Sequence, residues 1–138
     1  MPLCVLDTDC VTLLLRGHAG ISERAASHDP AELAISIVTV EELMAGWYSQ
    51  IRKAKKDDQL IRAYGALQEA VEFSARVRIL PLNQQAMLVF RDLTSRKLRL
   101  GTNDLRISAI AISSNAVLVT RNRQDFRRIT NLQIEDWS

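Results

Sequence analysis

Short apolar runs alternate with amphipathic helical segments along all 138 residues of the chain. The runs at residues 3–6, 33–38, 77–80, 116–120 and 132–134 have the length of β-strands. The first shows no polar alternation, which is typical of parallel strands covered on both faces. Helical periodicity between the runs is clearest at residues 57–76, 83–97 and 103–114. This order predicts one α/β domain over residues 1–138, with a mainly parallel sheet between helices.

The composition indicates an ordinary globular protein. Hydrophobic residues make up 47% of the chain and charged residues 25%, with a formal net charge of +2. We expect a cytoplasmic protein, because no apolar run is long enough to span a membrane and no signal-peptide pattern is visible. Cys4 and Cys10 lack the spacing of a zinc site, and they do not suggest a disulfide framework.

Four acidic residues fall next to the predicted strands. Asp7 follows the first strand, and Asp125 lies in the loop after the strand at residues 116–120. Glu42 and Asp104 are expected in the first turns of two helices. Helix N-termini and strand C-termini share one edge of a parallel sheet, which is where ligands bind in such folds. The four acids are therefore predicted to lie together although they are far apart in sequence.

Clustered carboxylates favour a divalent cation. Their mutual repulsion would leave one or more protonated unless a cation offset it. Hard oxygen ligands suit Mg²⁺ or Mn²⁺. A site of this kind can activate water and stabilise the leaving oxygen of a phosphodiester, with either one metal ion or two.

Each acid also has a structural interpretation. Glu42 could complete a capping box with Thr39, and Asp104 could simply interact with a helix dipole. Asp125 could be a solvated loop residue. Asp7 is the hardest to explain in this way, because a charge that ends a buried strand requires compensation.

Four segments resemble the PIN-domain ribonucleases, particularly the VapC-type toxins of bacterial toxin–antitoxin pairs. Residues 5–9 read VLDTD, residues 35–43 ISIVTVEEL, residues 101–109 GTNDLRISA and residues 118–126 LVTRNRQDF. Each is degenerate alone, but they occur in the family's order and cover nearly the whole chain. The family glutamate directly precedes a leucine, which selects Glu42 over Glu41. Two departures are Asp9, where asparagine is common, and Ser108, where alanine is common.

The resemblance implies a three-layer PIN-like sandwich and Mg²⁺- or Mn²⁺-dependent endonucleolytic cleavage of RNA. It implies that Asp7, Glu42, Asp104 and Asp125 are catalytic metal ligands. Thr120 and Asn122 would support them by holding carboxylates or water. Homodimers and inhibition by a cognate antitoxin protein are also implied. No motif identifies the target RNA.

Three other functions compete with this one. The DTD sequence at residues 7–9 resembles the start of haloacid-dehalogenase-type phosphatases, in which Asp7 would be the nucleophile and Asp9 the acid/base. That family requires a lysine after the Thr120 position, and none follows Lys97. A receiver module fails for the same reason. A PIN-like module that binds RNA or a partner without cutting is the third alternative.

Cations and aromatic residues give weaker signals. The arginines at residues 121–128 could hold RNA phosphates or pair with acidic residues of a partner. Trp47 and Tyr48 at helical spacing favour a core or dimer contact over base stacking. The cations at residues 52–56 favour a solvated helix end.

Overall fold

The computed structural model describes residues 2–138, which form a five-stranded parallel sheet flanked by seven α-helices. The strand order is β3-β2-β1-β4-β5, and every neighbouring pair is parallel. The strands are β1 (Cys4–Leu6), β2 (Leu33–Ser36), β3 (Arg78–Leu80), β4 (Val117–Val119) and β5 (Ile134–Glu135). The helices are α1 (Thr8–Leu15), α2 (Ala19–Ala26), α3 (Ile37–Lys53), α4 (Asp57–Arg76), α5 (Gln84–Ser95), α6 (Thr102–Ser113) and α7 (Arg123–Phe126). The predicted α/β class and parallel sheet are confirmed.

Two apolar clusters cover the two faces of the sheet. On one face, Val5, Ala34 and Leu118 pack with buried residues of α5 and α6. On the other, Leu6 and Val119 pack with residues of α1, α2 and α3. Burial on both faces explains why the strands show no alternation, and it gives the three layers of the sandwich.

The second strand is shorter than predicted, and the helix after it begins earlier. Residues 37 and 38 are β-branched and were predicted to end the strand, yet they begin α3. The Ser36 hydroxyl accepts a hydrogen bond from the Thr39 amide at 3.0 Å and so caps the helix. Glu42 therefore lies in the second turn of α3, and its predicted place in the first turn is wrong.

Other boundaries differ by smaller amounts. Asp7 is the N-cap of α1 as well as the residue that ends β1. Asp125 lies in the one-turn helix α7 rather than in a loop. The last strand is β5 at Ile134–Glu135, two residues beyond the predicted start at residue 132. The long helix predicted at residues 57–76 is confirmed as α4.

No helix in residues 2–138 is both long and apolar enough to cross a membrane. Cys4 and Cys10 are buried and free.

Candidate active site

The acidic residues converge at the carboxyl edge of the sheet. Asp7 directly follows β1, and β1 lies at the centre of the sheet between β2 and β4. Glu42 and Asp104 lie near the N-termini of α3 and α6, which face this edge. A cavity of about 610 Å³ opens there and is lined by Asp7, Thr8, Asp9, Glu42, Asp104, Arg121, Asn122 and Phe126. The predicted meeting of Asp7, Glu42 and Asp104 is therefore observed.

Asp7 is held by the backbone of both elements that it joins. Its amide donates to the Val119 carbonyl oxygen at 3.0 Å, which ties it to β4. Its carboxylate Oδ1 accepts from the Cys10 amide at 2.8 Å and caps α1. Asp7 is only 9% exposed, and burial raises the pKa of its carboxyl despite hydrogen bonds from Thr120 and Cys10. A buried carboxyl with a raised pKa at the end of a strand requires a cation or a proton.

Glu42 is oriented by two networks that the sequence did not predict. The Thr8 hydroxyl lies 2.5 Å from Glu42 Oε1 and 3.0 Å from the Thr39 hydroxyl. Asn103 Nδ2 donates to Glu42 Oε2 at 3.4 Å, and Arg106 donates in turn to Asn103 Oδ1 at 3.0 Å. The capping-box interpretation of Glu42 is wrong, because the Thr39 amide donates to Ser36 instead. Glu42 points towards the site and is fixed there from two sides.

Asp104 gives the clearest electrostatic evidence that the acids lie together. It lies in the first turn of α6, as predicted. Burial raises the pKa of its carboxyl, and the negative charges of Glu42, Asp7 and Asp125 raise it further, in that order. All three other predicted site acids are therefore close enough to repel Asp104.

Asp125 lies at the rim rather than in the cavity lining. Its side chain is 42% exposed and lies 3.6 Å from the guanidinium of Arg128. Asn122 Nδ2 donates to Asp125 Oδ2 at 2.8 Å. The structure brings Asp125 near the other acids, but the contacts that hold it come from its own turn of chain.

Thr120 and Asn122 contact the residues that they were expected to support. The Thr120 hydroxyl is fully buried, accepts from the Asn122 amide at 3.0 Å and lowers the pKa of Asp7. Asn122 reaches Asp125 as described above. These two residues therefore connect the end of β4 to both Asp7 and Asp125.

The predicted arginine cluster is only partly at the site. Arg121 lines the cavity, whereas Arg128 pairs with Asp125 and donates to the Leu98 carbonyl oxygen at 3.3 Å. Asp9 also lines the cavity, on the exposed side of α1. The first turn of α1 therefore adds a fourth carboxylate to the cavity lining.

The donor set fits a hard divalent cation. Oxygen ligands dominate the lining, and two of the carboxyls have raised pKa values that a cation would offset. In residues 2–138, no group of three His, Cys, Asp or Glu side chains has the arrangement of a complete ligand set. Mg²⁺ usually takes one or two protein carboxylates and keeps several waters, so an open acidic cavity suits it.

Comparison with known proteins identifies the family. Residues 4–132 match the PIN domain. The chain belongs to the PIN-domain family. It is 34% identical to "Ribonuclease VapC1" of Haemophilus influenzae strain R2866 over 140 residues, which cover 97% of each chain.

Solved structures agree with this assignment. The structure of DNA-bound VapBC from Salmonella typhimurium matches with a TM-score of 0.80 and 26% identity over the full length of both chains. That of VapBC-1 from nontypeable Haemophilus influenzae matches with a TM-score of 0.75 and 31% identity over 98% of both. The resemblance to PIN-domain proteins is thus confirmed, and the chain does not fall in the phosphatase family.

Proposed function

We propose that this PIN-domain protein is an Mg²⁺- or Mn²⁺-dependent endoribonuclease that uses Asp7, Glu42, Asp104 and Asp125, and that it is the toxin of a toxin–antitoxin pair. The observation that carries the proposal is the cavity at the carboxyl edge, which is lined by the carboxylates of Asp7, Glu42 and Asp104 together. The raised pKa of Asp104, caused by burial and then by the charges of the other three acids, supports it. The name and near-complete coverage of the VapC1 ribonuclease relative support RNA as the substrate.

Each residue of the site has its own role in this proposal. Asp7, Glu42 and Asp104 would hold the cation together with water molecules, and Asp125 would complete the acidic set from the rim. A bound Mg²⁺ or Mn²⁺ would supply Lewis acidity to activate water and to stabilise the leaving oxygen of the phosphodiester. Thr8 and Asn103 hold the Glu42 carboxylate in one orientation, so little reorganisation is needed when substrate binds. Arg121 lies in the cavity lining and can contact a phosphate of the RNA backbone.

The proposed partners are a cognate antitoxin protein and a second copy of the chain. The VapBC structures that match nearly the whole chain support the antitoxin. The test is co-expression with a candidate antitoxin protein, followed by copurification and size measurement. A monomeric, antitoxin-free protein at micromolar concentration would contradict this part of the proposal.

The decisive experiment is cleavage of a mixed RNA pool by purified protein with Mg²⁺, with Mn²⁺ and with EDTA. Asp7→Asn and Asp104→Asn remove one charge each at nearly constant shape. Glu41→Gln is the matched control, because Glu41 is exposed and is absent from the cavity lining. Metal-dependent cleavage is expected in the wild type and in Glu41→Gln only.

Two outcomes would contradict the proposal in different ways. Cleavage that survives EDTA and both Asp variants would indicate a contaminating nuclease. RNA binding without cleavage by the wild type would favour the non-catalytic PIN-like module.

A further inference from the structure

A groove leaves the acidic cavity along α1 and α3. A second cavity of about 450 Å³ shares Thr8 and Glu42 with the acidic cavity. It shares Arg16, Trp47 and Gln50 with a third cavity of about 700 Å³, which lies between α3 and α4. We call the path through the second and third cavities the α1–α3 groove. It is continuous from the acids to the far end of α3.

The far end of the groove is basic. Its lining includes Arg16, Lys53 and Arg62 and no carboxylate. Arg62 lies 3.4 Å from Asp58 in an exposed pair of the same helix. Arg16 and Lys53 form no ion pair within residues 2–138. Glu69 lines a neighbouring recess of about 130 Å³ together with Arg16, but it forms no ion pair with it. Two cations at this end of the groove are therefore available to a ligand.

An aromatic side chain lies midway along the groove. Trp47 is partly exposed and lines both groove cavities and the recess. The sequence favoured a core or dimer contact for Trp47 and a solvated helix end for Lys53. The third cavity, which both residues line, combines the indole of Trp47, two amide side chains (Gln50 and Gln59) and three cations.

We propose that the α1–α3 groove binds the RNA strand on one side of the cleavage site, with bases stacked on Trp47 and phosphates held by Arg16, Lys53 and Arg62. This inference rests on the proposed function, and it adds the surface along which the RNA substrate would bind. Aromatic faces combined with a cationic track are what single-stranded nucleic acids require, because bases stack on aromatic side chains and phosphates need counter-charges.

The charge of the acidic cavity makes such a path necessary. The RNA backbone is a polyanion, and the cavity presents Asp7, Asp9, Glu42 and Asp104 against one lining cation, Arg121. An RNA strand that crosses the acidic cavity therefore needs favourable contacts with the protein outside this cavity. The α1–α3 groove begins at Thr8 and Glu42 and becomes basic as it leaves them.

The test is RNA binding by the full chain in an Asp104→Asn background, which prevents cleavage in the proposed mechanism. Arg16→Gln/Lys53→Gln/Arg62→Gln removes the groove cations. Arg78→Gln is the control, since Arg78 is exposed at the start of edge strand β3, away from the carboxyl edge. The probes are labelled single-stranded RNAs of about 4 and about 12 nucleotides, which span the range of site sizes for such grooves.

We expect the triple variant to weaken binding of the longer RNA more than that of the shorter one. The slope of log affinity against log salt is expected to fall by about 0.7 for each phosphate contact removed. Trp47→Leu is expected to reduce affinity for the longer RNA roughly ten-fold, the effect of one lost base stack. The Arg78→Gln control is expected to match its background.

An unchanged affinity and salt slope in the triple variant would overturn the groove proposal, even if the wild type cuts RNA. Loss of antitoxin binding with RNA binding intact would also overturn it and assign the groove to a protein. If the wild type binds RNA through the groove but does not cleave it, the groove proposal is supported and the proposed ribonuclease function is contradicted. Circular dichroism of each variant establishes that the fold is retained.

Discussion

The carboxyl edge of the sheet holds two kinds of acidic residue. Asp7, Glu42 and Asp104 line the cavity and are attached to β1, α3 and α6, which pack into the core. Asp125 lies on the four-residue helix α7, is 42% exposed and lies 3.6 Å from the guanidinium of Arg128. The acids that line the cavity are held by contacts between distant parts of the chain, such as the hydrogen bond from Thr8 to Glu42. Asp125 instead contacts Asn122 and Arg128, each of which is three positions away in sequence.

The closeness of the acids to one another and the rigidity with which each is held are therefore separate properties of the site. All three of the other acids are close enough to raise the pKa of Asp104. Only the three attached to core elements have their positions fixed by the fold, and fixed charges contribute most to catalysis. The comparison predicts large effects for the inner acids and a smaller one for Asp125.

The largest effect is expected for Glu42→Gln. The change keeps the shape of the side chain but removes a charge from the proposed metal site, and it leaves one acceptor oxygen where Thr8 and Asn103 now donate to two. We expect kcat to fall by more than about 100-fold, beyond the range typical of residues that only support a metal ligand. Initial rates on a defined RNA at saturating Mg²⁺ measure it, beside Glu41→Gln. A similar loss in Glu41→Gln would mean that the assignment between the two neighbouring glutamates is wrong.

Thr8→Val tests whether the orientation of Glu42 matters. Valine keeps the shape of threonine but removes the hydroxyl that donates to Glu42. We expect roughly a 10- to 100-fold loss of activity or metal affinity, seen as a higher Mg²⁺ concentration for half-maximal rate. Thr8→Ser restores the hydroxyl and is expected to recover most of the loss. A Thr8→Ser protein as impaired as Thr8→Val would show that the methyl group, not the hydrogen bond, is what counts.

Much of this edge could be predicted from sequence, because strands, helix starts and acids are local patterns. Asp7 and Asp104 were placed correctly since each directly follows a strand or begins a helix. Glu42 was placed in the first turn of its helix instead of the second, because residues 37 and 38 are β-branched and the Ser36 cap outweighs their strand preference. Thr8 and Asn103 were missed as partners of Glu42 because these contacts join residues 34 and 61 positions apart.

Asp125→Asn is expected to have a smaller effect, with activity reduced by no more than about ten-fold, the low end for supporting residues. Asparagine can still accept the hydrogen bond from Asn122, while the exposed pair with Arg128 contributes little. The same kinetic assay measures the change, together with the Mg²⁺ dependence. A loss of activity as large as that of Glu42→Gln would contradict the distinction between the acids that line the cavity and Asp125 at its rim.

The smallest effect is on stability, and its sign distinguishes a charged site from a purely structural one. Burial raises the pKa of Asp7, so the folded protein holds that proton more tightly than the unfolded chain does. The ionised carboxyl therefore costs stability once the pH rises through its raised pKa, and the cost disappears below about pH 4, where Asp is protonated in both states.

Asparagine caps a helix as well as aspartate does. In EDTA at pH 7 we expect Asp7→Asn to raise Tm by about 3 °C, with no gain near pH 4. Added Mg²⁺ is expected to raise the Tm of the wild type but not of the variant. If Asp7→Asn instead lowers Tm at pH 7 in EDTA, then Asp7 serves the fold as a satisfied cap, and its burial is not evidence for a bound cation.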